Sequence, residues 1–370
     1  MKNTKIIVKT KSKAYPIYFG DGIINKVSTL IRKNLPNVKK ICIINDKNLP
    51  PLLLKRLRKS LKKYNPKILN LSVTEKIKSF KVANKIINVL LKDNFNRSDC
   101  IIALGGGILG DLTAFISSLT KRGLKFINIP TTLLAQSDAS IGGKTAINSY
   151  QGKNLIGTFY QPDFVLIDIS LLNSLPRREM ICGYGEILKH SLISNKKFFL
   201  WLSKNAKKII NNKDKNLLKI AIMKSCKIKS KIVSRDEKEI NLRMILNFGH
   251  TFAHGFEGTK NFSKKLNHGE AVLLGMMIAS QLSYKKKLLS LEDLTLIKKH
   301  YLSLNLPMKI KKFFKKKEID KIIYFIKKDK KNLNEKINLI LIKKIGKVTK
   351  PNSFAIKSSE LKKFLIKQYI

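Results

Sequence analysis

The stretch that most constrains this chain is Cys100-Ile-Ile-Ala-Leu, which runs straight into Gly105-Gly106-Gly107-Ile108-Leu109-Gly110-Asp111 and then into the apolar run Leu112–Leu119. A short apolar run that stops at glycine reads as a buried strand, and the longer run after the turn reads as a helix. Gly105, Gly107 and Gly110 fit G-x-G-x-x-G in its strand–turn–helix setting. Without a Cβ, such residues let backbone N–H groups approach a pyrophosphate at a helix N-terminus. The same glycines would also serve a tight structural turn. The acid that usually follows about 20 residues on is missing, because the next strand runs into Asn128-Ile129-Pro130. Asp46, at the end of an earlier strand, is the better candidate for ribose hydroxyls. A dinucleotide would then cross the sheet in an order unlike the common Rossmann one.

Around this turn, short apolar runs alternate with amphipathic stretches. Lys5–Lys9 and Tyr15–Phe19 read as a strand pair, with further strands at Ile41–Ile44, Lys67–Val73, Cys100–Leu104 and Phe126–Ile129. Phe80, Ala83, Ile87 and Leu90 repeat at helical spacing. This alternation predicts an α/β nucleotide-binding domain with a mostly parallel sheet. Past about Leu175 strand signals fade and helical patterns dominate, which predicts a mainly α-helical second domain. The expected division is 1–173 and 174–370, at the turn-rich Asn173–Pro176. Ligands of open α/β sheets lie beyond the carboxyl ends of the strands, so the site is expected between the domains.

A length of 370 residues accommodates two cores. The basic start is followed by no apolar stretch of signal-peptide length, and no run reaches the roughly 18 residues of a membrane span. The expected setting is cytoplasmic, with no membrane partner. Cys42, Cys100, Cys182 and Cys226 lack C-x-x-C spacing and read as reduced thiols. The formal charge of +51 raises the question of nucleic acid. Only nine of the 75 basic residues are Arg, however, and the lysines are spread along almost every predicted helix among Ile and Asn. No basic arm, zinc finger or stacking motif accompanies them. The pattern fits a base-composition drift at permissive surface sites, with no specific nucleic-acid partner, and leaves a positive field that would steer an anionic substrate.

Three of the five histidines, His250, His254 and His268, fall within nineteen residues. His250 and His254 stand at i, i+4 on one helical face, a spacing that binds Zn²⁺. His268 precedes another apolar helix. Glu186 is an acid among apolar neighbours, and acids are seldom buried unless paired or bound to metal. Spacing alone does not choose between His250 and His254.

Taken in order, these segments resemble the 3-dehydroquinate synthases. The glycine signature Gly105–Asp111 is followed by Ile129-Pro-Thr-Thr-Leu-Leu-Ala-Gln136 and Ser137-Asp138-Ala-Ser-Ile-Gly-Gly-Lys144-Thr-Ala-Ile-Asn148. Gly152-Lys153-Asn154-Leu-Ile-Gly-Thr-Phe-Tyr-Gln-Pro162 and Ser174-Leu-Pro-Arg-Arg-Glu179 come next, then Arg243-Met-Ile-Leu-Asn247-Phe-Gly-His250-Thr-Phe and His268-Gly-Glu270. The likeness is dense from about Leu104 to Met276 and thinner elsewhere, with Asp329-Lys330-Lys331 fitting a late motif. The sequence departs from the family at Val73–Lys78, where Asp-Gly-Glu and a tyrosine are usual, and at Cys182 and Gly185, which replace alanines. Ser137 and Asn241 differ as well.

The resemblance implies a lyase, a phosphate-eliminating cyclase of the shikimate pathway serving chorismate and aromatic amino acid biosynthesis. It would turn 3-deoxy-D-arabino-heptulosonate 7-phosphate into 3-dehydroquinate and phosphate, with bound NAD and one divalent metal, Zn²⁺ or Co²⁺. It assigns the metal to Glu186, His250 and His268, and makes His254 a substrate or phosphate contact. It places Lys144, Asn154, Lys189, Lys229, Arg243, Asn247 and Lys330 at the anionic sugar phosphate, and Asp138 and Glu239 as acids that orient hydroxyls and lysines. Arg122 resembles an arginine that reaches across a homodimer interface to the phosphate. On the NAD side it implies Asp46, Asn48, Glu75, Lys78, Gly106, Gly107, Ile108, Leu109, Gly110, Asp111, Thr131, Thr132, Lys144, Lys153, Leu171 and Ser174. The rivals are a sister cyclase whose substrate lacks the carboxylate, disfavoured by Lys229, Arg243 and Asn247 together, and a metal-dependent polyol dehydrogenase, which would release NADH. A nucleic-acid binder on an inactive enzyme fold would have lost the glycine loop or the metal ligands, and both are present.

Overall fold

A computed structural model describes residues 4–263, 265–328 and 336–369. These form two compact units. The first runs through residue 179 and also takes in 213–238; the second comprises 180–212 and the chain from 239 onward.

In the first unit the elements run β1 (Thr4–Lys9), β2 (Ala14–Gly20), α1 (Val27–Asn34), β3 (Ile41–Asp46), α2 (Pro51–Ser60), β4 (Lys67–Leu71) and α3 (Phe80–Lys92). They continue with β5 (Cys100–Gly105), α4 (Gly107–Leu119), β6 (Lys125–Pro130), the hairpin β7 (Ile147–Ser149) and β8 (Gly152–Ile156), and β9 (Phe164–Asp168). Seven strands make one sheet in the order β1-β2-β9-β6-β5-β3-β4, parallel except for the antiparallel β1–β2 pair. The predicted strands are all present. β9, which was not foreseen, sits between β2 and β6 and joins the leading pair to the parallel strands.

The two-residue period of a strand decides what covers each face. Ile43, Ile102, Leu104, Ile127 and Leu166 pack with Val27 and Ile31 of α1 and Leu53 and Leu57 of α2. Cys42, Ile44 and Ile101 face the other way, onto Ala83, Ile86 and Leu90 of α3 and Leu109, Leu112 and Phe115 of α4. Burial on both faces explains why these strands read as unbroken apolar runs. The buried Asp168 accepts from the backbone N–H groups of Gly22, Ile24 and Ser170, which fixes the chain leaving β2 to the end of β9.

After β9 come α5 (Arg177–Ser194), α6 (Lys196–Ile210) and α7 (Lys215–Arg235). α7 falls in the part expected to belong to the helical domain, yet it clusters with the sheet. Its Ser225 hydroxyl and Cys226 thiol donate to the carbonyls of Ser137 and Gln136, in a π-helical turn over Ala135–Ala139.

The second unit adds α8 (His250–Thr259), α9 (His268–Lys285), α10 (Leu291–Leu304), α11 (Ile319–Lys328) and α12 (Ser358–Ile366). Two small antiparallel pairs also appear, β10 (Lys336–Asn338) with β13 (Ala355–Lys357) and β11 (Ile342–Lys344) with β12 (Lys347–Val348). The rest of the unit is helical, in keeping with the mainly α-helical domain expected. α5 is buried without a break from Met180 to Ile193, and α9 from Ala271 to Ser280. A helix apolar all round is a core helix, so these two form the centre of the unit. Among the described residues no helix is long and apolar enough to cross a membrane, and all four cysteines are buried thiols.

Candidate functional site

Three helices of the second unit bring Glu186, His250 and His268 together. Glu186 lies inside the buried length of α5, while each histidine is the first residue of its helix, α8 or α9. Glycines allow the approach. A Cβ on Gly269 would fall on the main chain of Cys182, so no larger residue lets the start of α9 meet α5 this closely. Gly249, with φ at +81°, turns the chain into α8, and a Cβ on Gly275 would strike its carbonyl. Asn267 starts α9 with a capping box, its side chain accepting from Glu270 N–H at 2.8 Å while Glu270 accepts from Asn267 N–H at 2.9 Å. This Asn-x-x-Glu signal is legible in sequence and fixes His268 as the first helical residue.

The ligand-type atoms of Glu186, His250 and His268 all lie within 4.8 Å of one another. The Nε2 atoms of His250 and His268 stand 3.6 and 3.9 Å from Glu186 Oε1. The Lys189 ammonium lies against Glu186 Oε2, yet in that orientation neither carboxylate oxygen accepts a hydrogen bond among the described residues, although the side chain is 1% exposed. A buried carboxylate needs a positive partner, which Lys189 supplies at Oε2 and a metal would supply at Oε1, the oxygen that faces the two imidazoles. Burial pulls the His268 imidazole down, but the Glu257 carboxylate beside it, and Glu186 beyond, raise it to about 9. One carboxylate and two imidazoles suit a borderline metal such as Zn²⁺ or Co²⁺. His254 does not enter this donor set; its ring stands edge-on to that of His250, centroids 5.9 Å apart. Nearby in sequence, Asn247 donates to Glu239 Oε1 at 2.6 Å, and Arg243 is buried. Lys330 lies outside the described residues.

The first unit gathers a second group. The N–H and side-chain amide of Asn48 both donate to Asp46 Oδ1 at 3.0 Å, closing the turn after β3. The buried Lys78 ammonium bridges Asp111 at 2.7 Å and Asn154 at 2.5 Å. Burial raises the Asp111 carboxyl, and Lys78 opposes that rise. Asn148, to which the sequence reading gave no role, ties the group together. Its amide donates to Glu75 Oε1 and its Oδ1 accepts from Asn154 N–H, while Lys153 lies 3.7 Å from Glu75. Gly106 caps α4 and Gly107 begins it, where added Cβ atoms would press on Thr132 and Ala139. Thr132 Oγ1 accepts from Ala135 N–H. The hydroxyl of Thr131 is buried and finds no partner among the described residues. Lys144 and Ser174 are exposed. The side chains of Leu109 and Leu171 belong to the hydrophobic cores, which leaves only their main chain to meet a ligand.

Lys229, on α7, is 2.9 Å from Asp138 Oδ1 and donates to the Asp138 carbonyl at 2.8 Å. The clustering of α7 with the sheet makes this pairing internal to the first unit. Arg122 is exposed, and its φ of +62° lies in a left-handed turn that ends at Gly123.

Comparison with known proteins agrees with this layout. The sequence pattern of the 3-dehydroquinate synthase N-terminal domain matches residues 68–182, and that of the C-terminal domain matches 183–332. The chain is 52% identical over 342 residues to 3-dehydroquinate synthase of Pelagibacter ubique (strain HTCC1062), covering 92% of this chain and 93% of the relative. It is 43% identical over 345 residues to 3-dehydroquinate synthase of Dictyoglomus thermophilum, covering 92% of each. In fold it resembles 2-deoxy-scyllo-inosose synthase, solved with carbaglucose-6-phosphate, NAD⁺ and Co²⁺, at a TM-score of 0.83 and 24% identity over 98% of this chain and 99% of the other. It also resembles 2-epi-5-epi-valiolone synthase from Streptomyces hygroscopicus, solved with NAD⁺ and Zn²⁺, at a TM-score of 0.85 and 22% identity over 97% and 98%. The chain belongs to the 3-dehydroquinate synthase family.

Proposed function

We propose that this chain converts 3-deoxy-D-arabino-heptulosonate 7-phosphate to 3-dehydroquinate and phosphate, using NAD⁺ and one divalent metal, Zn²⁺ or Co²⁺. The shikimate-pathway assignment is supported by relatives of that name aligned over nine-tenths of the chain. The observation that carries the chemistry is the convergence of the His250 and His268 imidazoles on the buried Glu186 carboxylate, with ligand-type atoms all within 4.8 Å of one another. Three protein ligands leave positions open for substrate hydroxyls. When bound, the metal polarises those hydroxyls, and the nicotinamide takes up a hydride and later returns it.

The chain's own residues bind and orient. In this reading Lys144, Asn154, Lys189, Lys229, Arg243, Asn247, His254 and Lys330 hold the carboxylate, phosphate and hydroxyls of the substrate by charge-assisted bonds. Asp138 positions Lys229, and Glu239 positions Asn247; both pairings are bonds within one unit. Lys78, Asp111, Glu75, Lys153 and Thr131 face the cofactor with the glycine turn, and Asp46 with Asn48 takes the ribose. Support for the turn comes from the close fit around Gly106 and Gly107, which side chains would fill. We further propose a cytoplasmic homodimer in which the exposed Arg122 reaches the partner's substrate.

Metal analysis of purified protein tests this reading. Wild type and His254→Ala should each retain about one equivalent of Zn²⁺ or Co²⁺, and Glu186→Ala, His250→Ala and His268→Ala should lose it. A chelator should abolish turnover and added metal restore it. Loss of metal from His254→Ala as complete as from His250→Ala would overturn the ligand assignment.

A further inference from the structure

The two histidines of the cluster are backed differently. His250 Nδ1 lies 3.4 Å from the Phe248 carbonyl oxygen. His268 Nδ1 lies 3.3 Å from Oε2 of Glu257, whose side chain is 12% exposed. Both Nε2 atoms are then left facing Glu186 Oε1. A neutral imidazole carries one N–H and one lone pair, and an acceptor at one nitrogen keeps the proton there and the lone pair at the other. Glu257 is on α8, seven residues after His250, so two turns of one helix bring it to the side chain that opens α9. It is not among the donors grouped around Glu186. Its carboxylate meets the far nitrogen of His268, the place of an outer partner.

We propose that Glu257 is a positioning residue of the metal centre, accepting the Nδ1–H of His268 so that Nε2 is the ligand atom. The proposal rests on Glu186, His250 and His268 being the metal ligands. It makes the two imidazoles unequal. His250 is held by a main-chain carbonyl that no side-chain substitution removes, whereas His268 is held, and made a stronger donor, by a carboxylate charge.

The test is a Co²⁺ titration of the full-length, metal-free chain, read by the visible absorption of bound Co²⁺. Glu257→Ala removes the acceptor and Glu257→Gln keeps an accepting oxygen without the charge. Glu257→Ala should raise the Co²⁺ dissociation constant about 10–100-fold and change the absorption bands. Glu257→Gln should recover most of the affinity and a spectrum close to wild type. Because Glu257→Gln conserves shape and an acceptor, its result stands even if Glu257→Ala folds poorly. His250→Ala is the control for the ligand reading. Absent binding in His250→Ala together with a wild-type constant and spectrum in Glu257→Ala sinks the role of Glu257 and leaves the metal site standing. Failure of Glu257→Gln to recover the affinity lost in Glu257→Ala also overturns it. Wild-type Co²⁺ binding by His250→Ala would remove the metal-site reading itself, and the proposal with it.

Discussion

Lys78 is 4% exposed and its ammonium holds both Asp111 and Asn154. Charge-assisted bonds of this kind are worth about 1.5–3 kcal/mol each. Replacing Lys78 with Met would leave Asp111 of the proposed cofactor site and Asn154 of the proposed substrate site without their shared donor, and would let the Asp111 carboxyl rise further. NAD⁺ binding should weaken about 10–100-fold, as a calorimetric titration would read, with the fold retained by circular dichroism. An unchanged affinity would detach Lys78 from the cofactor. At this scale the sequence names single residues through their motifs, but not what they touch. Lys78, Asp111 and Asn154 are far apart along the chain, and only the sheet brings them to one place. Asn148 closes the motif Ser137–Asn148 without a role read from it, and Glu257 lies in none of the quoted motifs. Glu257 could have been singled out only as an acid on the same helical face as His250.

Helices meet in the second unit through polar contacts as well as glycine. His300 of α10 sits 2.8 Å from the Tyr184 hydroxyl of α5 and 3.2 Å from the Ser203 hydroxyl of α6, so one imidazole joins three helices. Burial holds it down at about 4, against an ordinary value of 6.5. The unfolded chain therefore takes up a proton near pH 6.5 that the folded chain refuses until about pH 4. Stability from this group is complete above pH 6.5 and declines as pH falls toward 4, by at most about 1.4 kcal/mol for each pH unit. Urea unfolding across that range should show the decline in wild type and a smaller one in His300→Gln; equal slopes would place the pH dependence elsewhere. Elements with strong periodicity, such as α3, were legible from the sequence. β9 was not picked out, although Phe-Val-Leu-Ile-Asp is the same kind of short continuous apolar run that marked β3 and β5. β10 to β13 are two or three residues long and too short to carry a period.

For the whole molecule, 75 basic residues against 24 acids give a field that draws in a carboxylate bearing a phosphate. Raising ionic strength from about 0.01 M to about 0.15 M shortens the screening length from about 30 Å to about 8 Å. The value of kcat/KM should fall over that range while kcat changes little; an insensitive kcat/KM would leave the charge without a part in substrate capture. The order of the large elements was readable because strand–helix alternation is local. The interleaving of the two units was not, because it follows from α7 bonding to the turn at 135–139 rather than to its sequence neighbours. The most direct test of the account is the balance of one reaction: heptulosonate 7-phosphate, catalytic NAD⁺ and Zn²⁺ or Co²⁺, with phosphate, 3-dehydroquinate and NADH followed together. Equal release of phosphate and 3-dehydroquinate with no net NADH is the expected result. Accumulating NADH without phosphate would mark a dehydrogenase and contradict it.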